Sequence, residues 1–215
     1  MEKTLVIAVD LQNDFMNKNG ALYVPGAEDI KEEVNDFMYR AMRALDTNHK
    51  IWYTADLHDY DDEEISTHPD LTNTFPPHCI RNTEGSWLID HATGNEYSSE
   101  AILEESMPPF ASVYYKNKFS VFEGNSAFEA DIIDDMYNTD KIFIFGVAGD
   151  ICVKGVLDGM VQLIEYGRSD CRQIVVLLDL IASIDDKKFI KYIKKLVYDY
   201  EYITVAFSED VVFEI

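Results

Sequence analysis

The sequence predicts an α/β protein: one domain over residues 1–215, three layers deep, with a mostly parallel six-stranded sheet between layers of helix. Three observations carry this. The apolar runs IFIF and IVVLL are continuous rather than alternating, as in strands covered on both faces. Strand-like segments rich in β-branched and aromatic residues alternate with amphipathic ones, the pattern of strand–helix–strand crossovers. The chain of 215 residues, 47% hydrophobic and free of any Gly/Ser-rich linker, suffices for one sizeable core.

In chain order, Thr4–Val9 (TLVIAV) reads as a buried first strand, followed by a helix over Ala27–Leu45 and a strand over Lys50–Thr54. The third strand is Ala111–Tyr115, and the next helix and strand are Phe128–Tyr137 and Lys141–Phe145. Ile151–Glu165 reads as a helix and Arg172–Leu178 as a strand. The helix Asp185–Val197 opens on two acids that complement its dipole. Tyr202–Ala206 is the last strand, within an acidic, aromatic tail, Tyr198–Ile215, that reads as a strand plus a packed extension. In a doubly wound sheet of this kind the site lies beyond the carboxyl ends of the strands.

Acids outnumber bases 40 to 18, for a net charge of -22. That argues against nucleic acid and anionic membrane as partners, since phosphate binding needs clustered Lys and Arg, and it reads first as a device for solubility. The apolar run in MEKTLVIAVDL is too short to span a bilayer and lacks a signal-peptide cleavage site, so the expected setting is the cytoplasm. Three cysteines, Cys79, Cys152 and Cys171, form no CxxC pair and suit a reduced compartment with one functional thiol.

Three strand ends carry polar residues that packing does not demand. Asp10 closes TLVIAV, Lys116 follows SVYY, and Cys152 follows IFIFGVAGDI at a strand-to-helix turn. A helix N-terminus and a nearby ammonium both lower a thiol's pKa. A carboxylate can accept the thiol proton and return it to a leaving amine, and turn amides can hold an oxyanion. Singly, the three read as a turn cap, a solvated edge residue and a small buried hydrophobe; their joint placement points to a nucleophile, a base and an electrostatic stabiliser. Cys171 precedes a strand, at the wrong sheet edge, and Cys79 is a loop thiol beside PPH.

The stretch of about 55–110 is irregular and holds four of the 5 histidines and five of the 6 prolines. So long a loop inside a domain is a place for function. In extended chain Asp56 and His58 share a face, so both can reach one ion. His78, after Pro76–Pro77, is a third donor, and Glu64, His68 and Asp70 are candidates to complete the shell. Mixed N/O ligation suits zinc, iron or manganese.

Together these segments resemble the cysteine hydrolase superfamily that includes isochorismatases and nicotinamidases (pyrazinamidases), from VDLQNDF through the region after Cys152. VDLQNDF is similar to the opening that holds the catalytic Asp (Asp10) and an aromatic wall residue (Phe15). YYKNKFSVFEG resembles the K-x-x-[YF]-S-x-F segment; the three-residue spacing to Phe119 favours Lys116 over Lys118 as the catalytic Lys. FGVAGDICV resembles the nucleophile turn, which implies a cis peptide between Val147 and Ala148 and oxyanion donors at the Ala148 and Cys152 amides. ADLH…FPPHC resembles the nicotinamidase metal site, with Asp56, His58 and His78 as ligands and Phe75 against the ring. The usual third His has no counterpart; H-P-D at His68–Asp70 makes Asp70 the first choice, before Glu64 and His68. The resemblance implies an isochorismatase-like, Rossmann-like fold and one divalent transition metal, zinc first, then iron or manganese. It implies hydrolysis of nicotinamide to nicotinate and ammonia through a Cys152 thioester, in pyridine nucleotide salvage, and leaves room for homo-oligomers. The alternatives are a related hydrolase of another small amide or ureido compound, and a non-catalytic small-molecule-binding protein of the same fold.

Overall fold

The structure, a computed structural model, describes residues 2–43, 49–89 and 110–213. Its centre is a sheet of β1 (Thr4–Val9), β2 (His49–Asp56), β3 (Ala111–Lys116), β4 (Lys141–Gly146), β5 (Ile174–Ile181) and β6 (Ile203–Ala206). The order is β3-β2-β1-β4-β5-β6, and every neighbouring pair is parallel. The long helices are α1 (Lys31–Arg43), α2 (Ser126–Asn138), α3 (Lys154–Glu165) and α4 (Asp186–Asp199).

The period-2 geometry of a strand sorts β1 onto two cores. Val6 and Ala8 face α1, where they pack with Phe37 and Met38. Leu5, Ile7 and Val9 face α2, α3 and α4, among Phe128, Leu157 and Ile193. Every β1 residue is buried, which is why its sequence is a continuous apolar run. The tail is packed as far as residue 213, with 214 and 215 outside the described residues: Phe213 lies 5.5 Å from Phe37, and the Arg40 guanidinium donates to the carbonyls of Ser208 and Val211 at 3.0 and 2.9 Å. Among the described residues no helix is long and apolar enough to cross a membrane.

Differences from the expected bounds have local causes. Residues 27–30 precede α1 rather than begin it, because the chain there is tied in turns, with Ala27 N–H donating to Val24 and Asp29 N–H to Gly26. Ala44 and Leu45 lie outside the described residues, as does 90–109 of the irregular stretch. α2 begins at Ser126 because Asn125 accepts from the amides of Ala127 and Phe128, an N-cap. Ile151–Val153 belong to a π turn, Gly149–Val153, that runs into α3; such wide turns are frequent at functional sites.

The chain steps from β1 outward through β2 to β3, then returns beside β1 and steps the other way through β4, β5 and β6. The order reverses between β1 and β4. A crevice therefore opens at their carboxyl ends.

Candidate active site

Sheet register brings the polar strand ends together. Val9 pairs with Thr54 and with Gly146, and Asp56 pairs with Lys116. β4 ends close against β1: a Cβ at Gly146 (φ +122) would lie 2.1 Å from the Val9 carbonyl oxygen, so the turn carrying Cys152 needs glycine there. Asp10 has φ 52, a left-handed conformation uncommon outside glycine, held by its amide donating to the Thr54 carbonyl at 3.0 Å.

Asp10, Lys116 and Cys152 are 0%, 2% and 7% exposed, and they meet. The Lys116 Nζ lies 2.9 Å from Asp10 Oδ2 and 3.8 Å from Cys152 Sγ, and it donates to Asp56 Oδ1. Its contact with Asp10 Oδ2 is an ion pair without hydrogen-bond alignment, whereas Thr54 Oγ1 donates to Asp10 Oδ1 at 2.6 Å. Val147–Ala148 is a cis peptide. Among the described residues the Ala148 amide has no backbone acceptor, so it is free to donate into the cleft.

Charge at this cluster follows from burial. Desolvation pushes the Asp10 carboxyl up, opposed by Lys116. Desolvation would depress Lys116, but Asp10, Asp56 and Cys152 outweigh it and hold the ammonium well above the usual range. For Cys152 the outcome reverses the expectation from the helix end and the ammonium. Burial comes first; Lys116 opposes it, but the charges of Asp10 and Asp56 add to it, and the thiol is pushed well up. A neutral thiol thus lies beside the Asp10 carboxyl and the Lys116 ammonium, arranged for proton transfer.

The second cluster adjoins the first through Asp56. While Oδ1 of that carboxylate accepts from Lys116, Oδ2 lies 4.0 Å from His58 Nε2 and 3.8 Å from His78 Nε2. The backbone of Asp56 is clamped by Gln12, whose amide accepts from Asp56 N–H and donates to its carbonyl, both at 2.7 Å. His58 Nδ1 lies 3.2 Å from Asp62 Oδ2 and His78 Nδ1 2.8 Å from the Pro76 carbonyl, so both Nε2 atoms turn inward. His58 Nε2 is buried without a hydrogen-bond partner. An orphaned imidazole nitrogen facing a carboxylate and a second imidazole fits a divalent metal, and one ligand atom from each of Asp56, His58 and His78 lies within 4.8 Å of the others. Desolvation first, then His78 and Lys116, lower His58 to about 4, which leaves it neutral and able to ligate. Asp10, Asp56 and Cys152 are equally close to one another, but the Lys116 ammonium fills that space.

Asp70 is not brought to this cluster. It is exposed, and Oδ1 accepts from the amides of Thr72, Asn73 and Thr74; those bonds, with the Asn73 side chain, hold its carboxyl far below the usual range. His68 is exposed too. Glu64 is the buried acid of the three, with Phe119 N–H donating to Oε1 at 3.3 Å; desolvation, then Asp56, push it up to about 7. Lys118 pairs with Glu63 at the surface. Cys79 and Cys171 are buried and unpaired, and neither lines the cleft.

A cleft opens above the two clusters. Phe15, Phe75 and Phe119 wall it, and Asp56, His78, Ala148 and Cys152 supply its polar floor. The Phe75 and Phe119 rings meet edge to face at 5.5 Å. Sequence reasoning missed Leu22, Val24, Ile151 and Ile184 in the lining, as well as Thr54, Gln12 and Asp62. Asp14 also escaped it: its carboxylate accepts from Cys79 N–H at 2.7 Å and Ala21 N–H at 2.9 Å, tying the His78 turn to the Leu22 wall. Only Gln12 and Asp14 carried a signal, as polar residues inside VDLQNDF.

No family model matches the chain. A nicotinamidase of Saccharomyces cerevisiae is 29% identical over 225 residues, covering 90% of this chain and 94% of its own. The crystal structure of a nicotinamidase/pyrazinamidase from Bacillus subtilis superposes with a TM-score of 0.70 at 24% identity, covering 95% of this chain and 100% of that one. That of a pyrazinamidase from Pyrococcus horikoshii in complex with zinc gives 0.66 at 22% identity, covering 95% and 99%. At these identities the structural likeness speaks for the fold.

Proposed function

Starting from a chain similar to the isochorismatase-like hydrolases and close to the nicotinamidases, we propose that it hydrolyses nicotinamide to nicotinate and ammonia, with Cys152 as nucleophile. The observation that carries this is the meeting of Asp10, Lys116 and Cys152 at the floor of an aromatic-walled cleft. Asp10 takes the thiol proton as the sulfur attacks the amide carbon. The tetrahedral oxyanion is held by the Ala148 and Cys152 amides. Asp10 then hands its proton to the amine, ammonia leaves, and the acyl group remains on sulfur. Water attacks the thioester while Asp10 accepts its proton; Cys152 departs as thiolate, recovers the proton from Asp10, and nicotinate is released. Lys116 stays protonated throughout and offsets the negative charge shared by Asp10 and the sulfur.

Asp56, His58 and His78 would hold a divalent cation, with zinc favoured for this N/O donor set. When bound, such an ion supplies a Lewis acid for the ring nitrogen and so orients the ring. Glu64 replaces Asp70 as the candidate fourth donor, because Glu64 is buried and Asp70 spends its carboxylate on its own turn. Ureido acids fit less well: among the described residues the cleft lining includes neither Arg nor Lys to meet a carboxylate. The setting this reading implies is pyridine nucleotide salvage in the cytoplasm.

The test is ammonia release from a panel of small amides, with metal content measured on the same preparation. Nicotinamide is expected to give the highest kcat/KM, with loss of turnover on chelation and recovery on zinc addition. Absence of turnover of every pyridine carboxamide would overturn the proposal.

A further inference from the structure

The cleft has one wall that the chemistry above does not use. Between β5 and α4 the chain crosses the cleft mouth as a short strap, 182–185, and Ile184 on it lines the cleft while remaining 48% exposed. An exposed loop side chain at a pocket mouth is ordinarily free to move. Here it is not. Ile184 N–H donates to Asp150 Oδ1 at 2.9 Å, and Gly149 N–H donates to the Ala182 carbonyl at 2.9 Å. Both partners belong to the π turn that carries Cys152. Asp150 is itself 6% exposed, and its second oxygen lies 4.0 Å from Lys188 Nζ on α4.

The fit between strap and turn is close. A Cβ at Gly149 would lie 2.4 Å from Ser183 Oγ and 3.2 Å from the Phe189 ring, so the turn needs glycine to let the strap approach. Asp185 meanwhile caps α4 by accepting from Lys188 N–H at 3.0 Å. The strap is thus anchored at the nucleophile turn and at the first turn of a helix, with only the Ile184 side chain projecting into the mouth.

We infer that Ile184 is the specificity-determining lip of the cleft and that Asp150 is a positioning residue that fixes this lip relative to Cys152. The lip limits how bulky a ring can enter over the thiol, so the cleft takes small, flat, unsubstituted carboxamides and rejects fused or substituted ones. This rests on the amide-hydrolase reading for its substrates, but not for its geometry.

The experiment therefore has two arms. In the first, kcat/KM is measured for nicotinamide and for quinoline-3-carboxamide with the wild type, Ile184→Ala, Asp150→Ala and Asp150→Asn. In Ile184→Ala the ratio of quinoline to pyridine amide should rise about tenfold, the scale of a removed apolar wall, with nicotinamide KM rising as contact is lost. Asp150→Ala should raise the ratio as well, whereas Asp150→Asn, whose amide oxygen still accepts from Ile184 N–H, should hold it near the wild-type value. A merely structural role for Asp150 would lower turnover of both amides together and leave the ratio alone.

The second arm needs no substrate. Alkylation of Cys152, followed by peptide mass spectrometry, compares iodoacetamide with its N-benzyl derivative, and the rate ratio of bulky to small reagent should rise about tenfold in Ile184→Ala. If the wild type hydrolyses no amide, the functional proposal fails and this arm alone decides the lip. If Ile184→Ala changes neither ratio, the inference is overturned whatever the substrate proves to be.

Discussion

Replacing Thr54 by Val removes a neutral hydrogen bond made to the Asp10 side chain. Thr54 is fully buried and donates from Oγ1 to Asp10 Oδ1 at 2.6 Å, while its carbonyl, which accepts from Asp10 N–H, is unaffected by the change. A hydrogen bond to a charged acceptor contributes about 2 kcal/mol, and losing it leaves Oδ1 buried without that partner. Because Thr54 lowers the Asp10 pKa, its loss moves Asp10 further up. On the acid limb, where ionisation of Asp10 limits the rate, about 2 kcal/mol corresponds to a fall in kcat/KM of about thirtyfold. At higher pH, where Asp10 is ionised in both proteins, the difference should shrink toward nothing. The assay is the pH profile of ammonia release, with Thr54→Ser as the variant that keeps the hydroxyl and thermal denaturation as the control for folding. A loss that is equal at every pH, or no loss at all in a folded protein, would refute the role given to Asp10 as the base.

Two neighbouring groups should give metal-free protein opposing pH dependences. His58 falls from 6.5 to about 4 on folding, mainly by desolvation, so the unfolded chain binds the proton better, and stability of about 3 kcal/mol is lost as pH falls across that window. Glu64 rises from 4.5 to about 7, again mainly by desolvation. Its protonated form is favoured by folding, so it contributes stability below about 4.5 that is lost as pH rises to about 7, on the order of 1–2 kcal/mol. Urea denaturation of chelator-treated protein should therefore show a net acid loss of about 1–2 kcal/mol in the wild type and about 3 kcal/mol in Glu64→Gln; parallel curves would contradict this. His58→Ala and His78→Ala should each abolish stoichiometric metal in elemental analysis, while Asp70→Asn should leave it bound; metal lost from Asp70→Asn would restore Asp70 as a ligand. Lys116→Met should reduce kcat/KM at least a hundredfold, because it leaves Asp10 and Asp56 buried without their shared cation; retention of more than about a tenth of wild-type activity would argue against the electrostatic role.

The sheet was legible because β1, β4 and the first half of β5 are apolar on both faces, so their sequences read as continuous apolar runs. Asp10, Lys116 and Cys152 were legible as strand ends, but not as neighbours. Only the strand order and the Asp56–Lys116 register, both tertiary facts, put them in contact. Asp56 and His58 followed from the period of extended chain, whereas the choice between Glu64 and Asp70 did not. Both are acids in an aperiodic loop, and what separates them is that Glu64 folds under Phe75 and Phe119 while Asp70 closes a surface turn. Thr54 and Ile184 carried no signal, since a Thr in a strand and an Ile after one are ordinary packing residues. The thiol of Cys152 shows the limit most clearly. The helix end and the ammonium that acidify it were visible in the sequence, and the burial and paired carboxylates that outweigh them were not.

Cys152 is the centre of the proposed reaction, and ammonia release from nicotinamide by Cys152→Ala, set against the wild type, tests it. The wild type should turn over nicotinamide and the variant should show no detectable turnover, while remaining folded and still carrying its metal. Turnover by Cys152→Ala at a rate comparable to the wild type would contradict it, because no other thiol lines the cleft.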